Sequence, residues 1–557
     1  MGRTMTAVKP PGLKQLRNEK ALKVYAVVLC ILIVVVAAAR WLRVLCNRRL
    51  RSWPTRGGAL YRAFLLAFRQ LEKRPRWKWL CELPVGLLLL LGVLLVINAT
   101  LSVTIIAGLR INYFASRFGW LAVANMVLCV LLGLRNTPLS SVALVSHATI
   151  NTAHRIIGYS AAFLVAIHGI LYTVYFVRQG TWERLFEHGN IQGFSAGAGM
   201  LVLLFGYMRH QNYELFYASH ISGFVVTVFF TGIHRPDWAK KLPIVMVIVA
   251  CMWAVERFLR AVKMAYHLVG TGLCQEAAVL YPLTDGGTRL LLRSRRAHSV
   301  PPGSHCYLWI PCVGLGQSHP FTVVSSGSWG MELVIKAHDG FTRRLSELAT
   351  EKPGSISWAS IDGPYGSLPD LQSHEKLVLI AGGSGAAYTF GLMNHLLASH
   401  AKTRPQSVDF VWAVKHSGQL SWFQQHLSQL KRVSEGMSVN ATVYITSEEV
   451  AQERHVDLVG NLAEPGADEL SGLLFGGECQ QLAAEQTPGL YSCTYKYGAM
   501  SADDVLWDAM QTVASLERSL VVTCGPLTLM RAVRDAVESY REKHRQRIVN
   551  FYCEEFS

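Results

Sequence analysis

Charged residues are scarce in this 557-residue chain: 16% of its residues are Asp, Glu, Lys or Arg, whereas 51% are hydrophobic. With a mean hydropathy of +0.25, so little charge excludes a protein that is water-soluble throughout. The twelve cysteines are scattered and form no Cys-x-x-Cys pair, which indicates neither a zinc site nor a disulfide framework. We therefore expect a membrane part, and a domain after residue 264 that faces a reducing, cytosolic compartment.

The sequence predicts neither a cleavable signal sequence nor a nucleic-acid-binding motif. Its first apolar run, residues 24–39, has no small-residue cleavage site and is followed by Arg40 and Arg43, so it is interpreted as an anchor. The formal charge of +17 could suit nucleic acid, but twelve Lys/Arg against two Glu lie between Arg40 and Leu83, beside apolar segments. That pattern is typical of a cytoplasmic loop on an anionic leaflet, and we expect no nucleic-acid partner.

Apolar runs long enough, or nearly so, to cross a bilayer dominate the first half of the chain. They lie at residues 24–39, 84–109, 119–134, 155–177, 194–208, 216–235 and 243–262. About seven transmembrane helices are predicted. If the basic loop is cytoplasmic, the amino terminus is outside and the long carboxy-terminal region is inside, although six Lys/Arg before residue 24 argue against this orientation.

Four histidines on two of these apolar segments form the most specific pattern. His168 follows His154 by fourteen residues, and His234 follows His220 by fourteen. On an α-helix that is about four turns and about 21 Å of rise, with both side chains on nearly the same face. A lone histidine of this kind is more often a core residue bonded to a carbonyl. Two matched pairs instead predict an inner pair, His154 with His220, and an outer pair, His168 with His234, each filling both axial positions of a haem iron.

After about Gly270 the sequence changes character. Short alternating runs between Gly/Pro-rich turns predict β-strands and a compact β-barrel to about residue 370. These strands are expected at residues 277–281, 289–293, 306–310 and 331–336. Further strands at residues 376–381, 409–414, 438–445 and 519–523 alternate with helices, which indicates a parallel, doubly wound sheet. The stretch 448–503 is irregular and rich in glycine, and is interpreted as an insertion or a loosely ordered segment.

Three motifs in this half carry chemistry. Gly382-Gly-Ser-Gly385 follows an apolar strand and opens a helix, where glycines let the backbone approach a pyrophosphate. His319-Pro-Phe-Thr322 places a ring and a hydroxyl side by side, as a flavin requires. Gly340-Phe-Thr-Arg343 opens a helix with a hydroxyl and a guanidinium, a good anion site. The second and third motifs alone fit an ordinary turn or helix cap equally well, whereas the position of the first directly after an apolar strand favours a pyrophosphate site.

Taken in order, these motifs resemble those of the ferric reductase/NADPH oxidase superfamily, and most of all its fungal metalloreductase branch, in a short form. The resemblance covers roughly residues 119–557 and rests on the four histidines, His319–Thr322, Gly340–Arg343, Gly363-Pro-Tyr-Gly366, Gly382–Gly385, Cys524-Gly-Pro526 and Tyr552-Cys-Glu-Glu-Phe556. It implies a multi-domain membrane protein, in which an α-helical transmembrane bundle precedes a ferredoxin-reductase-like module. That module combines a β-barrel FAD domain with an α/β Rossmann-like nucleotide domain.

The resemblance also implies domain limits. Residues 1–118 would hold the anchor helix, the basic cytoplasmic loop and the first core helix. Residues 119–265 would form the haem-binding transmembrane domain. Residues 266–372 would form the FAD-binding β-barrel, and residues 373–557 the NAD(P)-binding α/β domain.

Site residues follow from the same resemblance. The flavin ring would be held by His319, Pro320, Phe321 and Thr322, and its pyrophosphate by Gly340, Thr342 and Arg343. The dinucleotide would be held by Gly382, Gly383, Ser384, Gly385, Cys524, Gly525 and Pro526. Cys524 and Phe556 would face the nicotinamide and the flavin, with Phe556 covering the flavin until nicotinamide displaces it. His154, His168, His220 and His234 would bind two b-type haems, and no catalytic residue is implied beyond these cofactor sites.

The implied activity carries electrons from cytosolic NADPH through FAD and two haems to ferric or cupric chelates beyond the membrane. Superoxide production from dioxygen by the same path is the alternative. The fourteen-residue spacing of the second histidine pair favours the reductase, because oxidases of the superfamily commonly have one residue fewer. From another class, a multi-helix transporter or scaffold that senses nucleotide would bind no haem. We expect a multi-pass protein of the plasma membrane, with the endoplasmic reticulum as the alternative.

One departure concerns the nucleotide. Members of the superfamily often carry Gly-Arg-Pro before the last helix, where the arginine contacts the 2′-phosphate. Here the matching stretch is Gly498-Ala-Met500, so a preference for NADPH depends on Lys415 or Lys496 replacing that arginine.

Overall fold

A computed structural model describes most of the chain. The described residues are 12–49, 67–68, 70–74, 83–106, 108–143, 145, 147–234, 241–269, 277–293, 297–314, 318–366, 368–399, 405–432, 437–447, 491–513, 517–544 and 547–555. They form two compact units that divide between Arg260 and Ala261.

The first unit is an α-helical bundle. Its helices are α1 (Leu13–Arg49), α2 (Val85–Val103), α3 (Ile111–Gly133), α4 (His147–Arg178), α5 (His188–Leu203), α6 (Tyr213–His234) and α7 (Leu242–Val269), with short helical turns at Pro138–Val142, Trp182–Phe186 and Phe205–His210. Six of these described helices are long and apolar enough to cross a membrane. The predicted run 194–208 begins on α5, whose 16 residues extend only about 24 Å, and ends in the short turn at Phe205–His210. The expectation of about seven helices is confirmed.

Helix α1 is longer than the sequence suggested. We expected the anchor to end at residue 39 and a loop to begin at Arg40, but the helix continues to Arg49. The reason is local, because no glycine or proline follows Ala39 in this helix and its Leu and Arg residues are good helix formers. Most of the remaining predicted loop lies outside the described residues.

Close helix contacts position the histidine-bearing helices α4 and α6. Leu121 of α3 and Leu164 of α4 lie in one buried cluster, while Met200 of α5 and Val228 of α6 share another. Helices α5 and α6 approach through small residues: a Cβ on Gly223 would lie 2.9 Å from the carbonyl oxygen of Gly199. Such small-residue contacts are the usual way in which membrane helices pack closely.

The second unit opens with a seven-stranded antiparallel sheet in the order β6-β1-β2-β5-β4-β3-β7. Its strands are β1 (Ala277–Leu283), β2 (Gly287–Arg293), β3 (His305–Trp309), β4 (His319–Gly327), β5 (Gly330–Lys336), β6 (Ile356–Trp358) and β7 (Ser360–Tyr365). Alternate residues of β1 to β3, such as Leu280, Leu290 and Leu308, are fully buried. The predicted barrel strands are confirmed, because period-two burial follows their apolar pattern.

A six-stranded parallel sheet follows, in the order β11-β10-β9-β8-β12-β13. Its strands are β8 (Lys376–Gly382), β9 (Ser407–Val414), β10 (Ser438–Ile445), β11 (Tyr491–Tyr497), β12 (Arg518–Cys524) and β13 (Ile548–Glu554), and the helices of this unit are α8 (Phe341–Glu351), α9 (Ala386–Ala398), α10 (Gln424–Arg432), α11 (Ala502–Gln511) and α12 (Leu527–Lys543). Strand order reverses between β8 and β12, where ligands of such sheets bind.

The stretch 448–503 was wrongly expected to be irregular throughout. Tyr491–Tyr497 pairs with β10 along its whole length, Tyr491 opposite Val439 and Tyr497 opposite Ile445. Its alternating aromatic residues suit an edge strand. Residues 448–490 lie outside the described part of the chain.

Candidate functional site

The four predicted histidines face each other in the two expected pairs. The imidazole ring centres of the inner pair, His154 and His220, lie 6.2 Å apart. Those of the outer pair, His168 and His234, lie 6.3 Å apart. Helices α4 and α6 therefore present two matched pairs, as their equal spacing predicted.

These distances fit a metal held between two imidazoles. A ring nitrogen binds a metal at about 2 Å and lies about 1 Å from its ring centre, so two imidazoles sharing one metal have centres roughly 6 Å apart. Among the described residues, no group of three or more His, Cys, Asp or Glu is placed to hold a metal ion. Each pair thus supplies two axial nitrogens, which is the donor set that a haem iron takes from a protein.

Backbone carbonyls fix the orientation of three of these rings. Nδ1 of His154 donates to the carbonyl oxygen of Cys129 at 2.8 Å, and Nδ1 of His168 donates to that of Ala115 at 2.7 Å. Nδ1 of His234 donates to the carbonyl of Gly189. A proton held on Nδ1 makes Nε2 the metal-binding nitrogen of the ring and raises its basicity.

Glycines open the space that these rings occupy. A Cβ on Gly119 would lie 2.7 Å from the His168 ring, one on Gly133 3.1 Å from His154, and one on Gly193 2.6 Å from His234. Each glycine follows the accepting carbonyl by four residues. A helical side chain leans over the preceding turn, so glycine at that position leaves the carbonyl open to the imidazole.

We call each of these carbonyls, together with the glycine four residues after it, a seat. The seats repeat along the chain with the same spacing as the histidines. On α3, Ala115 and Cys129 are fourteen residues apart, as are Gly119 and Gly133. We did not predict the seats from the sequence, yet this second fourteen-residue interval was a signal for them. Helix α3 therefore serves both pairs.

His220 is the exception. On α5, Leu203 stands fourteen residues after Gly189, but α5 ends there and Tyr207 occupies the position of the seat glycine. The Leu203 carbonyl faces the His220 ring, yet Nδ1 of His220 forms no hydrogen bond with any described atom. The inner pair therefore has one ring fixed by a seat, while the outer pair has two.

In the second unit, the predicted flavin residues lie at the start of β4. The ring of His319 stacks on Phe341 with 4.6 Å between centres, and Phe321 stacks on the same ring at 6.3 Å. Pro320 is exposed, whereas Thr322 is buried. Phe341 opens α8, so the two predicted flavin motifs meet through its buried ring.

The anion motif at the start of α8 is partly occupied by the protein itself. Gly340 has a positive φ of 71°, a conformation that favours glycine. Thr342 Oγ1 accepts a hydrogen bond from the His338 amide at 2.8 Å. Arg343 is exposed and pairs with Asp339, so its guanidinium does not stand as a free charge.

The two predicted nucleotide loops lie against each other, because β8 and β12 are neighbours. A Cβ on Gly385 would lie 2.5 Å from the Cys524 carbonyl, and one on Gly382 would lie 2.8 Å from Pro526. Gly383 has a positive φ of 53°, and its carbonyl accepts a hydrogen bond from Trp412 at 3.0 Å. Glycine is needed here for close approach of the two loops.

A carboxyl that we had not singled out lies beside Cys524. Glu554 is opposite Cys524 in the β12–β13 register and accepts a hydrogen bond from Tyr552 at 2.9 Å. Burial raises the pKa of Glu554 to about 7. Burial also raises the pKa of the Cys524 thiol, and the Glu554 charge adds to this. Phe556, the predicted flavin cover, lies outside the described residues.

Another buried carboxylate, Glu332 on β5, links the antiparallel sheet to helix α10. It accepts hydrogen bonds from Arg289 Nε and Ser325 Oγ, both at 2.7 Å, and contacts His426 Nε2 on α10 at 3.0 Å. Burial alone would raise the pKa of Glu332, but His426 and Arg289 more than offset it and hold the pKa at about 2. This network was not predictable, because its members are far apart in the sequence.

Comparisons with known proteins agree with this geometry. Family models match in three places: ferric reductase like transmembrane component at residues 118–231, FAD-binding domain at residues 289–369 and ferric reductase NAD binding domain at residues 374–538. The chain is therefore a multi-pass membrane protein with FAD-binding and NAD-binding domains.

Similar proteins come from fungi. Ferric/cupric reductase transmembrane component 2 of Saccharomyces cerevisiae is 27% identical over 441 residues, 76% of this chain and 58% of that protein. Ferric reductase transmembrane component 5 of the same organism is 24% identical over 466 residues, 80% and 61%. Ferric reductase transmembrane component 1 of Schizosaccharomyces pombe is 23% identical over 477 residues, 77% of each chain. The chain thus spans about three fifths of the first two relatives. The chain is therefore similar to the transmembrane, FAD-binding and NAD-binding parts of ferric reductases, among them those of fungi.

Proposed function

We propose that this chain is an NAD(P)H-dependent ferric-chelate reductase. It would transfer electrons from cytosolic NADPH, through FAD and two b-type haems, to ferric or cupric chelates on the far side of the membrane. The observation that carries this proposal is the pair of imidazole separations, 6.2 Å and 6.3 Å. The fungal relatives are ferric and ferric/cupric reductases, which supports metal chelates as acceptors.

In this proposal residues 119–265 form the haem-binding domain, behind an amino-terminal region 1–118. Nε2 of His154 and His220 would hold one haem, and Nε2 of His168 and His234 the other. A bound haem supplies a one-electron carrier inside the bilayer. Backbone carbonyls hold the tautomers of three of these rings, those of His154, His168 and His234.

Residues 266–372 would bind FAD and residues 373–557 the nicotinamide dinucleotide. His319, Pro320, Phe321 and Thr322 would contact the flavin ring, while Gly340, Thr342 and Arg343 would contact its pyrophosphate. Gly382, Gly383, Ser384 and Gly385, with Cys524, Gly525 and Pro526, would seat the dinucleotide, and Phe556 would cover the flavin. FAD supplies the exchange of one hydride for two single electrons. Glu554 would hold or release a proton beside Cys524.

The nucleotide specificity and the membrane belong to the same proposal. Lys496 lies on β11 with Nζ 5.7 Å from the centre of the Tyr444 ring, and Lys415 follows β9. Both are exposed near the carboxyl edge of the sheet, which supports a role in binding the 2′-phosphate of NADPH. We place the protein in the plasma membrane, as expected for uptake of metals, with the endoplasmic reticulum as the alternative.

Purified full-length protein tests this function directly. We expect two haems per chain by pyridine haemochrome assay, and NADPH-dependent reduction of ferric chelates that persists with superoxide dismutase. His168→Ala should lose one haem, whereas His188→Ala, on α5 but in neither pair, should keep both. Complete loss of ferric reduction with the dismutase would establish the oxidase alternative. A chain with no haem would favour the transporter or scaffold.

A further inference from the structure

Lys14 and Tyr172 form a charged extension of the outer histidine pair. Tyr172 lies one turn beyond His168 on α4, and their ring centres are 5.1 Å apart. Lys14 Nζ, on the first turn of α1, donates to the Tyr172 hydroxyl at 3.2 Å. The same ammonium lies 5.6 Å from the centre of the Tyr113 ring. Two tyrosines from α3 and α4 therefore hold a cation just beyond the outer pair.

Other cations lie near Lys14, and no carboxylate in the described part of the chain pairs with it. Arg17, Arg110 and Arg178 are exposed at the same end of the bundle. In the portion of the chain that the structure describes, neither Lys14 nor any of these three arginines forms an ion pair. Three acidic residues are described at this end. Glu19 pairs with Lys241 at 3.0 Å, Glu187 lies 3.8 Å from Arg184, and the third is Glu183. Among the described residues at this end, cations therefore outnumber carboxylates.

The position of these charges opposes two general preferences. Helix amino termini favour acidic residues because the macrodipole is positive there. The first turns of α1 and α3 nevertheless contain no acidic residue, and Arg110 immediately precedes α3. Lysine and arginine are also enriched in cytoplasmic rather than external loops, whereas the outer pair is proposed to lie at the far surface. Neither preference explains the cations, but an anionic ligand would.

We propose that Lys14, held against Tyr172, is the central cation of a docking site for anionic metal chelates at the outer pair. This inference rests on the proposed function and names its substrate class: ferric complexes with net negative charge, such as polycarboxylate chelates. Arg17, Arg110 and Arg178 would draw the chelate to this end, because a concentrated charge raises the association rate of an opposite charge. A phospholipid phosphate offers the same charge, and the experiment must separate the two.

Reoxidation of the reduced protein tests docking without NADPH or flavin. Full-length protein in phosphatidylcholine nanodiscs is reduced with dithionite, freed of excess, and mixed with anionic ferric-EDTA or cationic hexaammineruthenium(III). The haem Soret band reports the second-order rate constant. The variants are Lys14→Gln, Lys14→Arg and Tyr172→Phe. Lys543→Gln, on α12 in the second unit, removes the same charge elsewhere.

We expect Lys14→Gln to slow reoxidation by ferric-EDTA about tenfold at low ionic strength, and to leave the cationic acceptor as fast or faster. Salt should shrink the difference, because the Debye length falls to about 10 Å at 0.1 M. Lys14→Arg should retain the wild-type rate. Tyr172→Phe should give a smaller loss, and Lys543→Gln none.

Three results would overturn the inference. Wild-type protein could show no preference for the anionic acceptor, or Lys14→Gln could slow both acceptors equally. Lys14→Gln could also lower thermal stability in the nanodiscs without changing either rate, which would assign Lys14 to lipid phosphate. Failure of the proposed function looks different, because haems that dithionite reduces would then not be reduced by NADPH.

Discussion

The two units hold their candidate functional side chains with different partners. In the bundle, His154, His168 and His234 donate to neutral backbone carbonyls. In the second unit, Glu332 is buried with ionic and hydroxyl partners. An ion without a partner is very costly in a bilayer, whereas a backbone carbonyl is already present in every helix. The surrounding medium therefore decides how a functional side chain is held in place. In the membrane it is held by a backbone carbonyl beside a glycine, and outside the membrane by a network of charged groups.

Breaking the Glu332 network should have the largest effect. Glu332→Gln leaves Arg289 and His426 without their buried carboxylate, and we expect the second unit to lose about 3–5 kcal/mol of stability. Urea unfolding of the full-length protein, followed by pulse proteolysis, measures the loss. Glu538→Gln breaks the partly exposed Glu538–Arg541 pair at 2.6 Å and should cost less than about 1 kcal/mol.

The pH dependence has a fixed sign. Because the pKa of Glu332 is held at about 2, below its usual 4.5, its stabilisation is present above pH 4.5 and is lost as the pH falls towards 2. Equal losses in the Glu332 and Glu538 variants would contradict the proposed role of the network.

Glu554 is also a buried carboxyl, but burial raises its pKa, whereas the pKa of Glu332 is lowered by its charged partners. With a folded pKa of about 7, its stabilisation is complete below pH 4.5 and is lost as the pH rises through 7, a total of at most about 3 kcal/mol. Glu554→Gln should remove this slope from the stability profile. It should also flatten the pH dependence of flavin reduction by NADPH in stopped flow. Glu555→Gln is the neighbouring control, and an unchanged slope in Glu554→Gln would refute the assignment.

The glycine seats predict an effect of intermediate size. Gly193→Ala would place a Cβ 2.6 Å from the His234 ring, and we expect haem affinity at the outer pair to fall about ten- to a hundredfold. Gly169→Ala is the matched control, since a Cβ there meets nothing within 4 Å. Haem retention per chain after gel filtration measures the difference. Equal retention in both variants would show that the seats do not matter.

The smallest effect is expected at the exposed Arg343–Asp339 pair. Asp339→Asn should change stability by about 1 kcal/mol or less, because solvent screens exposed pairs. It should also free Arg343 and tighten FAD binding modestly. Flavin fluorescence titration at low and high salt checks this, with Arg343→Gln expected to weaken FAD binding. A stability loss as large as that of Glu332→Gln would remove the distinction between exposed and buried pairs.

The sequence predicted those features that depend on a pattern of neighbouring residues. Periodicity predicted the membrane helices and both sheets, and the fourteen-residue spacing predicted which histidines face each other. It missed Gly119 and Gly193, whose importance depends on which helix lies alongside. It also missed the link between Glu332 and His426, because contacts across 94 residues depend on tertiary packing rather than on a local pattern. The strand Tyr491–Tyr497 was not predicted, because the sequence before it has no regular apolar pattern.

Helix α3 acts as a ruler for the bundle. The two seats on α3 are fourteen residues apart, and so are the two histidines of α4. Inserting a single residue between Gly119 and Gly133 would turn one seat by about 100° relative to the other. The length of this stretch can therefore change only if α4 changes with it, so the two helices must vary together through evolution.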